Sequence, residues 1–241
     1  MLKINNLEKS FGGIIATDNV TLELQKQTIN AVIGPNGAGK STLVNLISGL
    51  LTQSEGSLTL DGILLDGVAA PKRAQMGIGR TFQNLRVFPS LTVQQNIEVA
   101  KSAIRAGGPK HEKFVQNAIS KFNLSDSLNM RAGNLAYGYL RRLEIVRALA
   151  LQPKIIMLDE PAAGMNEHET KVLADALRWL RQQSDCAMLV IDHDLKFIMA
   201  LCDKITVLNM GSVIADGEPN EVATNRQVID AYLGEDHTIA V

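Results

Sequence analysis

Two apolar patterns alternate along this 241-residue chain. In the first, apolar residues recur at every second position or fill a short run, which predicts strands. Ile4, Leu7, Val20, Leu22, Leu24, Ile29, Ala31 and Ile33 make residues 2–33 a strand region, and residues 57–64 a further strand with a turn at Asp61-Gly62. Residues 155–158 and 187–191 are apolar throughout, as expected of parallel strands covered on both faces. Residues 205–208 and 213–215 read as further strands.

The second pattern has helical spacing. Residues 41–50 follow one strand as a helix. Residues 167–183 form an amphipathic helix with Val172, Leu173, Ala176, Leu177 and Leu180 on one face and Trp179 packing at its border. From about residue 71 to 135 helices dominate: 93–104 and 112–122, joined by the loop Ala106-Gly107-Gly108-Pro109. The tail from Gly217 reads as two short helices. An α/β core interrupted by a helical insert at roughly 84–150 is the predicted organisation.

Composition narrows the class. Hydrophobic residues make up 46% and the net charge is −1, which suits one α/β domain, alone or with an inserted subdomain. A general nucleic-acid binder would carry a basic excess, so no nucleic-acid partner is expected. Cys186 and Cys202 sit in apolar contexts without metal-ligand spacing and read as small buried hydrophobes of a reducing compartment. No stretch reaches the ~18 apolar residues of a membrane span. The strand-like start Met1-Leu2-Lys3-Ile4-Asn5-Asn6 lacks a signal peptide's apolar core. The expectation is a cytoplasmic chain that serves a membrane, if at all, from its surface through a partner.

The sharpest chemistry lies in Gly34-Pro35-Asn36-Gly37-Ala38-Gly39-Lys40-Ser41-Thr42, which fits G-x-x-x-x-G-K-[ST] between a strand and a helix. Glycines at 34, 37 and 39 let the backbone curl with its N–H groups inward around a phosphate. Lys40 adds charge for the β- and γ-phosphates of a nucleotide, and the Ser41 hydroxyl can join a Mg²⁺ shell. A plain Gly-rich turn is the competing reading.

Strand 155–158 ends in Asp159-Glu160, at the carboxyl end where a parallel strand meets its ligand crevice. Asp159 is placed to hold Mg²⁺, and Glu160 to act as general base on the attacking water. The bland alternative is a solvated acidic turn. His193, in Ile191-Asp192-His193-Asp194, follows another buried strand and can reach the γ-phosphate, although a lone histidine is more often structural. Gln83, expected at a strand end where the insert opens, can reach the metal or the water; it is otherwise an ordinary polar loop residue.

Together these motifs resemble the ATP-binding subunit of an ABC transporter over nearly the whole chain. The resemblance rests on Phe11, the residues from Gly34 to Thr42, Gln83, Leu135-Ala136-Tyr137-Gly138, Asp159-Glu160 and His193, in that order. It implies a P-loop NTPase (RecA-like) core formed by residues 1–83 and 151–241, with an N-terminal antiparallel β subdomain. An α-helical subdomain at 84–150 would be inserted in this single ATPase domain. It implies that Phe11 stacks on adenine. Leu135, Ala136, Tyr137 and Gly138 would form the signature segment that clamps the γ-phosphate of an opposite subunit. ATP and Mg²⁺ are the implied cofactors. The implied partners are a second ATPase subunit, transmembrane permeases and, indirectly, a solute-binding protein, at the cytoplasmic face of the cell membrane.

The chain departs from the family pattern at Ala136, where Ser is usual, at Tyr139, where Gln is usual, and at Asn166, where many members carry Asp. An active ATPase with weaker contacts between subunits is expected. Gly79-Arg80-Thr81-Phe82-Gln83-Asn84-Leu85-Arg86-Val87-Phe88, Leu135-Ala136-Tyr137-Gly138 and Asp159-Glu160-Pro161-Ala162-Ala163-Gly164-Met165-Asn166 resemble the subgroup that imports branched-chain amino acids or small amides. Tyr232-Leu233-Gly234-Glu235-Asp236 is similar both to that subgroup and to the lipopolysaccharide-export ATPase. A soluble ABC ATPase of DNA repair or translation, or a non-hydrolysing subunit, is the alternative. Leu85, Val87 and Phe88 are expected either to pack the insert on the core or to form a groove for a permease helix.

Overall fold

The computed structural model describes residues 1–103 and 108–233. The strands are β1 (Leu2–Phe11), β2 (Ile14–Leu24), β3 (Ile29–Ile33), β4 (Glu55–Leu60), β5 (Ile63–Leu64), β6 (Ile78–Arg80), β7 (Ile155–Asp159), β8 (Ala187–Ile191), β9 (Lys204–Asn209) and β10 (Ser212–Gly217). The helices are α1 (Lys40–Ser48), α2 (Ala70–Met76), α3 (Val93–Ser102), α4 (Pro109–Lys121), α5 (Tyr137–Ala150), α6 (Glu167–Gln183), α7 (Leu195–Leu201), α8 (Pro219–Ala223) and α9 (Arg226–Leu233).

Two sheets result. Strands β2-β1-β4-β5 form an antiparallel sheet, as expected for the N-terminal region. The second sheet runs β10-β9-β3-β8-β7-β6 and is parallel except for the β10 edge.

The wholly apolar strands now have a physical reason. Their alternate side chains enter two different cores. Ile29, Ala31, Ile33, Ile156, Leu158, Met188 and Val190 pack against the helices on one face. Val32, Ile155, Met157, Ala187, Leu189 and Ile191 pack on the other, with α1 and the antiparallel sheet. The helices at 93–150 share the first core, because Val93, Ile97, Val115, Phe122, Leu143 and Val146 are buried in it. Trp179 of α6 stacks on Phe114 of α4, with ring centroids 5.8 Å apart, which fits the packing role expected of it.

Several boundaries differ from expectation. Helix α4 begins at Pro109 rather than 112, with Gly108 as its N-cap, because proline's fixed φ and missing N–H suit the first helical turn. Pro109 is therefore helical; Ile104, Ala106 and Gly107 lie outside the described residues. Strand β6 stops at Arg80, so Gln83 sits three residues beyond its end. Helix α2 was not resolved by periodicity. It delivers the buried Arg73, which donates to the Leu46 and Ile47 carbonyls at the end of α1 and to those of Leu65 and Val68. Burial lowers the Arg73 pKa, against an opposing pull from Asp66.

Both cysteines are buried, and desolvation pushes each thiol up to about 12, with Asp203 and Asp192 adding to the effect at Cys202. They are inert core residues. Among the described residues, no helix is long and apolar enough to cross a membrane.

Candidate active site

Strand β3 lies in the middle of the larger sheet, between β8 and β9, and opens directly into residues 34–42. The loop's glycines are required by its geometry. Gly34 has φ +147 and a Cβ there would fall 2.0 Å from the Leu208 carbonyl oxygen. Gly39 has φ +103 and would clash at 2.3 Å with the Ala16 carbonyl oxygen of β2. Gly37 meets nothing within 4 Å, and its glycine answers to φ +78 alone. The β9–β10 turn braces the loop from outside, since Gly211 N–H donates to Ala38 O at 3.1 Å. The Lys40 ammonium bends back onto the loop and donates to Gly34 O at 2.6 Å and Pro35 O at 2.8 Å. Asn36 and Ser41 are exposed, Thr42 is half-buried, and Pro35 and Ala38 are buried.

Asp159 and Glu160 leave the sheet two strands away, at the end of β7, with β8 between. Asp159 is in register with Ile191 of β8, so the acid pair and the Asp192-His193 turn emerge side by side. Glu160 takes φ +48, a left-handed conformation costly for a non-glycine residue, and its N–H donates to Ile191 O at 2.7 Å. Gln83 reaches this point, its Nε2 donating to Glu160 Oε2 at 3.3 Å. His193 points outward and its side chain is 75% exposed. Gln83, Asp159, Glu160 and His193 therefore share the carboxyl end of the sheet with residues 34–42.

Phe11 lies on the other sheet, 46% exposed, beside the exposed hairpin tip Gly12-Gly13. It is not a core residue. Leu135, Ala136, Tyr137 and Gly138 start α5, with Ala136 as an N-cap that supplies no side-chain bond. They face α6 of their own chain: a Cβ on Gly138 would meet Glu169 Oε1 at 2.8 Å, and Tyr137 packs on Gly164. Asn166 caps α6 in a reciprocal box with Glu169, which gives this departure a structural use.

Five charged residues near the site escaped sequence reasoning. Arg80 pairs with Asp159 at 3.2 Å and donates to Asn45 Oδ1 at 2.6 Å, nearly buried. Arg141 is fully buried and donates to the carbonyls of Phe82 and Gln83, while Glu144, 3.0 Å from it, accepts the N–H groups of Phe82 and Arg86. Arg147 donates to Arg86 O and lies 4.9 Å over the Phe88 ring. Helix α5 thus straps down the segment carrying Gln83. The only signal was an i, i+3 charge pair inside a helix that the structure buries almost all round. Within that segment Val87 packs on the core while Phe88 stays exposed. The fifth is Asp192, a carboxylate directly behind the buried strand β8.

The arrangement fits a nucleoside triphosphate: a glycine-bearing backbone loop, a lysine bent across it and acids at the same end of the sheet two strands away. Among the described residues, no group of three or more His, Cys, Asp or Glu could hold a metal unaided. Ser41 and Asp159 offer oxygen donors for a cation that also takes phosphate oxygens, which is the way Mg²⁺ is commonly bound.

A parallel sheet with this loop at its centre and this acid pair beside it defines a P-loop NTPase. The chain belongs to the ABC transporter family, matching it over residues 17–163, and is an ABC-type ATPase. Residues 212–238 match a second family, described as the branched-chain amino acid ATP-binding cassette transporter. The chain is 41% identical to the high-affinity branched-chain amino acid transport ATP-binding protein LivG of Salmonella typhimurium, with 98% of each chain covered. The ADP conformation of MJ1267, an ATP-binding cassette of an ABC transporter, superposes with a TM-score of 0.86 at 28% identity, covering 98% of this chain and 99% of that one. The bacterial cassette MJ0796, described as dimeric, superposes with a TM-score of 0.79 at 26% identity over 91% and 99% of the two chains.

Proposed function

We propose that this chain energises the uptake of branched-chain amino acids or related small amides by binding and hydrolysing ATP at a site shared between two ATPase subunits. The observation that carries the reading is the Gln83–Glu160 hydrogen bond of 3.3 Å at the same sheet edge as the P-loop. It joins a base candidate to the segment leading into the helices, which we take as a subdomain at residues 84–150.

In this reading, the backbone of residues 34–42 and the Lys40 ammonium hold the phosphates. Ser41, Asp159 and Gln83 would hold Mg²⁺, which supplies charge neutralisation at the β- and γ-phosphates. Arg80 orients the Asp159 carboxylate through their 3.2 Å contact. Glu160 accepts a proton from the attacking water, and His193 donates to the γ-phosphate. Phe11 stacks on adenine. Residues 135–138 of a second subunit close over the γ-phosphate with the N-terminus of their helix. The exposed Phe88 end of the strapped segment meets a permease, so closure of the dimer becomes movement at the membrane. The solute-binding protein acts through that permease, at the cytoplasmic face of the cell membrane.

A shared site makes turnover depend on encounter. Specific ATPase activity is expected to rise with the chain's own concentration, or to stay low until a different partner ATPase is added. High activity at strict monomer dilution would contradict it. Uptake of leucine, isoleucine and valine into vesicles carrying the permeases tests the solute. A second binding measurement isolates the adenine contact: Phe11→Ala is expected to weaken ATP and ADP alike by about 1–3 kcal/mol, the usual range for stacking of a base on an aromatic ring. Equal affinity before and after would remove Phe11 from the site.

A further inference from the structure

The Asp192 carboxylate is nearly inaccessible, with 1% of its side chain exposed. Among the described residues no cation hydrogen-bonds to it; His193 Nδ1, at 3.8 Å, is outside hydrogen-bond range. Its charge is instead met by three backbone N–H groups. Oδ1 accepts from His193 at 2.8 Å and Asp194 at 3.0 Å, which is a local Asx turn. Oδ2 accepts from Ala162 at 3.2 Å, 30 residues away in sequence. Ala162 lies in the turn that begins at the strained Glu160, whose N–H is bonded to Ile191. One carboxylate therefore joins the turn after Glu160 to the turn that presents His193.

We propose that Asp192 is a positioning residue that locks these two turns into one unit, setting Glu160 and His193 at a fixed separation around the same phosphate. This rests on the roles of Glu160 and His193 given above. An aspartate suits the task because it is acceptor-only at both oxygens. An asparagine has one accepting oxygen. If that oxygen keeps the Asx turn, the NH₂ opposes the Ala162 N–H; if it turns to Ala162, the Asx turn is lost. Either way one turn is released. The shorter serine hydroxyl can keep the local turn but falls short of Ala162, so Asp192→Ser cuts the long link alone.

The test is steady-state hydrolysis and ADP binding by Asp192→Asn and Asp192→Ser, in the dimeric assembly and below the melting temperature of each variant. A misplacement of about 1 Å costs on the order of a hundredfold in rate. Accordingly kcat is expected to fall about tenfold to hundredfold, while KM and ADP affinity stay within about twofold. Unchanged kcat in both variants would overturn the proposal. So would a proportional fall of kcat and nucleotide affinity, or failure of both variants to fold, since either outcome makes Asp192 a purely structural residue. Glu160→Gln run in parallel separates this inference from its premise: if that variant turns over normally, the premise has failed, whereas its collapse beside active Asp192 variants sinks the inference alone.

Discussion

Glu160→Gln is expected to abolish hydrolysis while leaving ATP binding intact. The substitution keeps the shape of the side chain and an acceptor for the Gln83 amide, 3.3 Å away in the native protein. It removes only the ability to take a proton. A positioned general base is worth about 10²–10⁴-fold in rate. Binding rests on the P-loop backbone and Lys40, which are untouched, so the closed, ATP-bound dimer should accumulate. Size-exclusion chromatography with and without ATP, beside a phosphate-release assay, reads both halves. Turnover near the native rate would move the base to another residue. The left-handed backbone at Glu160, φ +48, adds a constraint. A non-glycine residue held in this conformation is common at working sites.

Glu144→Ala carries the largest expected loss of stability. Glu144 is buried beside Arg141 at 3.0 Å and accepts two backbone N–H groups from the segment that carries Gln83. Its removal leaves a buried guanidinium without its counter-charge and two donors without partners. Breaking a buried pair from one side costs about 3–5 kcal/mol. At roughly 2–4 °C per kcal/mol for a chain of this size, the melting temperature should fall by on the order of 10 °C. Glu144→Gln keeps an acceptor and should lose less. A shift of only a degree or two in the alanine variant would show that the segment is held by other contacts.

Much of this architecture was legible because its signals are local. The P-loop needs glycines at set positions, and Glu167–Gln183 announces itself by an apolar face of which Leu173, Ala176, Leu177 and Leu180 are buried, while Val172 is half-buried and Ala174 joins them. The strands 155–158 and 187–191 are unbroken apolar runs because both of their faces are covered. What stayed hidden is long-range pairing. Nothing adjacent in sequence tells that Asp192 meets Ala162, or that Arg80 meets Asp159. Arg141 and Glu144 look like a solvated helix face until the segment at 82–86 covers them. Short elements show no period: α2, seven residues long, goes unread, and the strand expected to end at Gln83 stops at Arg80 after three residues. Gln83 was placed at a strand end for that reason, although its side chain does reach the acid it was expected to serve.

The stack of Trp179 on Phe114 has a use beyond packing. The chain contains one tryptophan, so emission excited selectively from tryptophan originates at a single address. That address is the seam where α6, which follows the acid pair, touches α4 of the helical segment. The molecule is thus born with an optical reporter on the joint between its nucleotide end and its helices, readable without a label, a cysteine or any added probe.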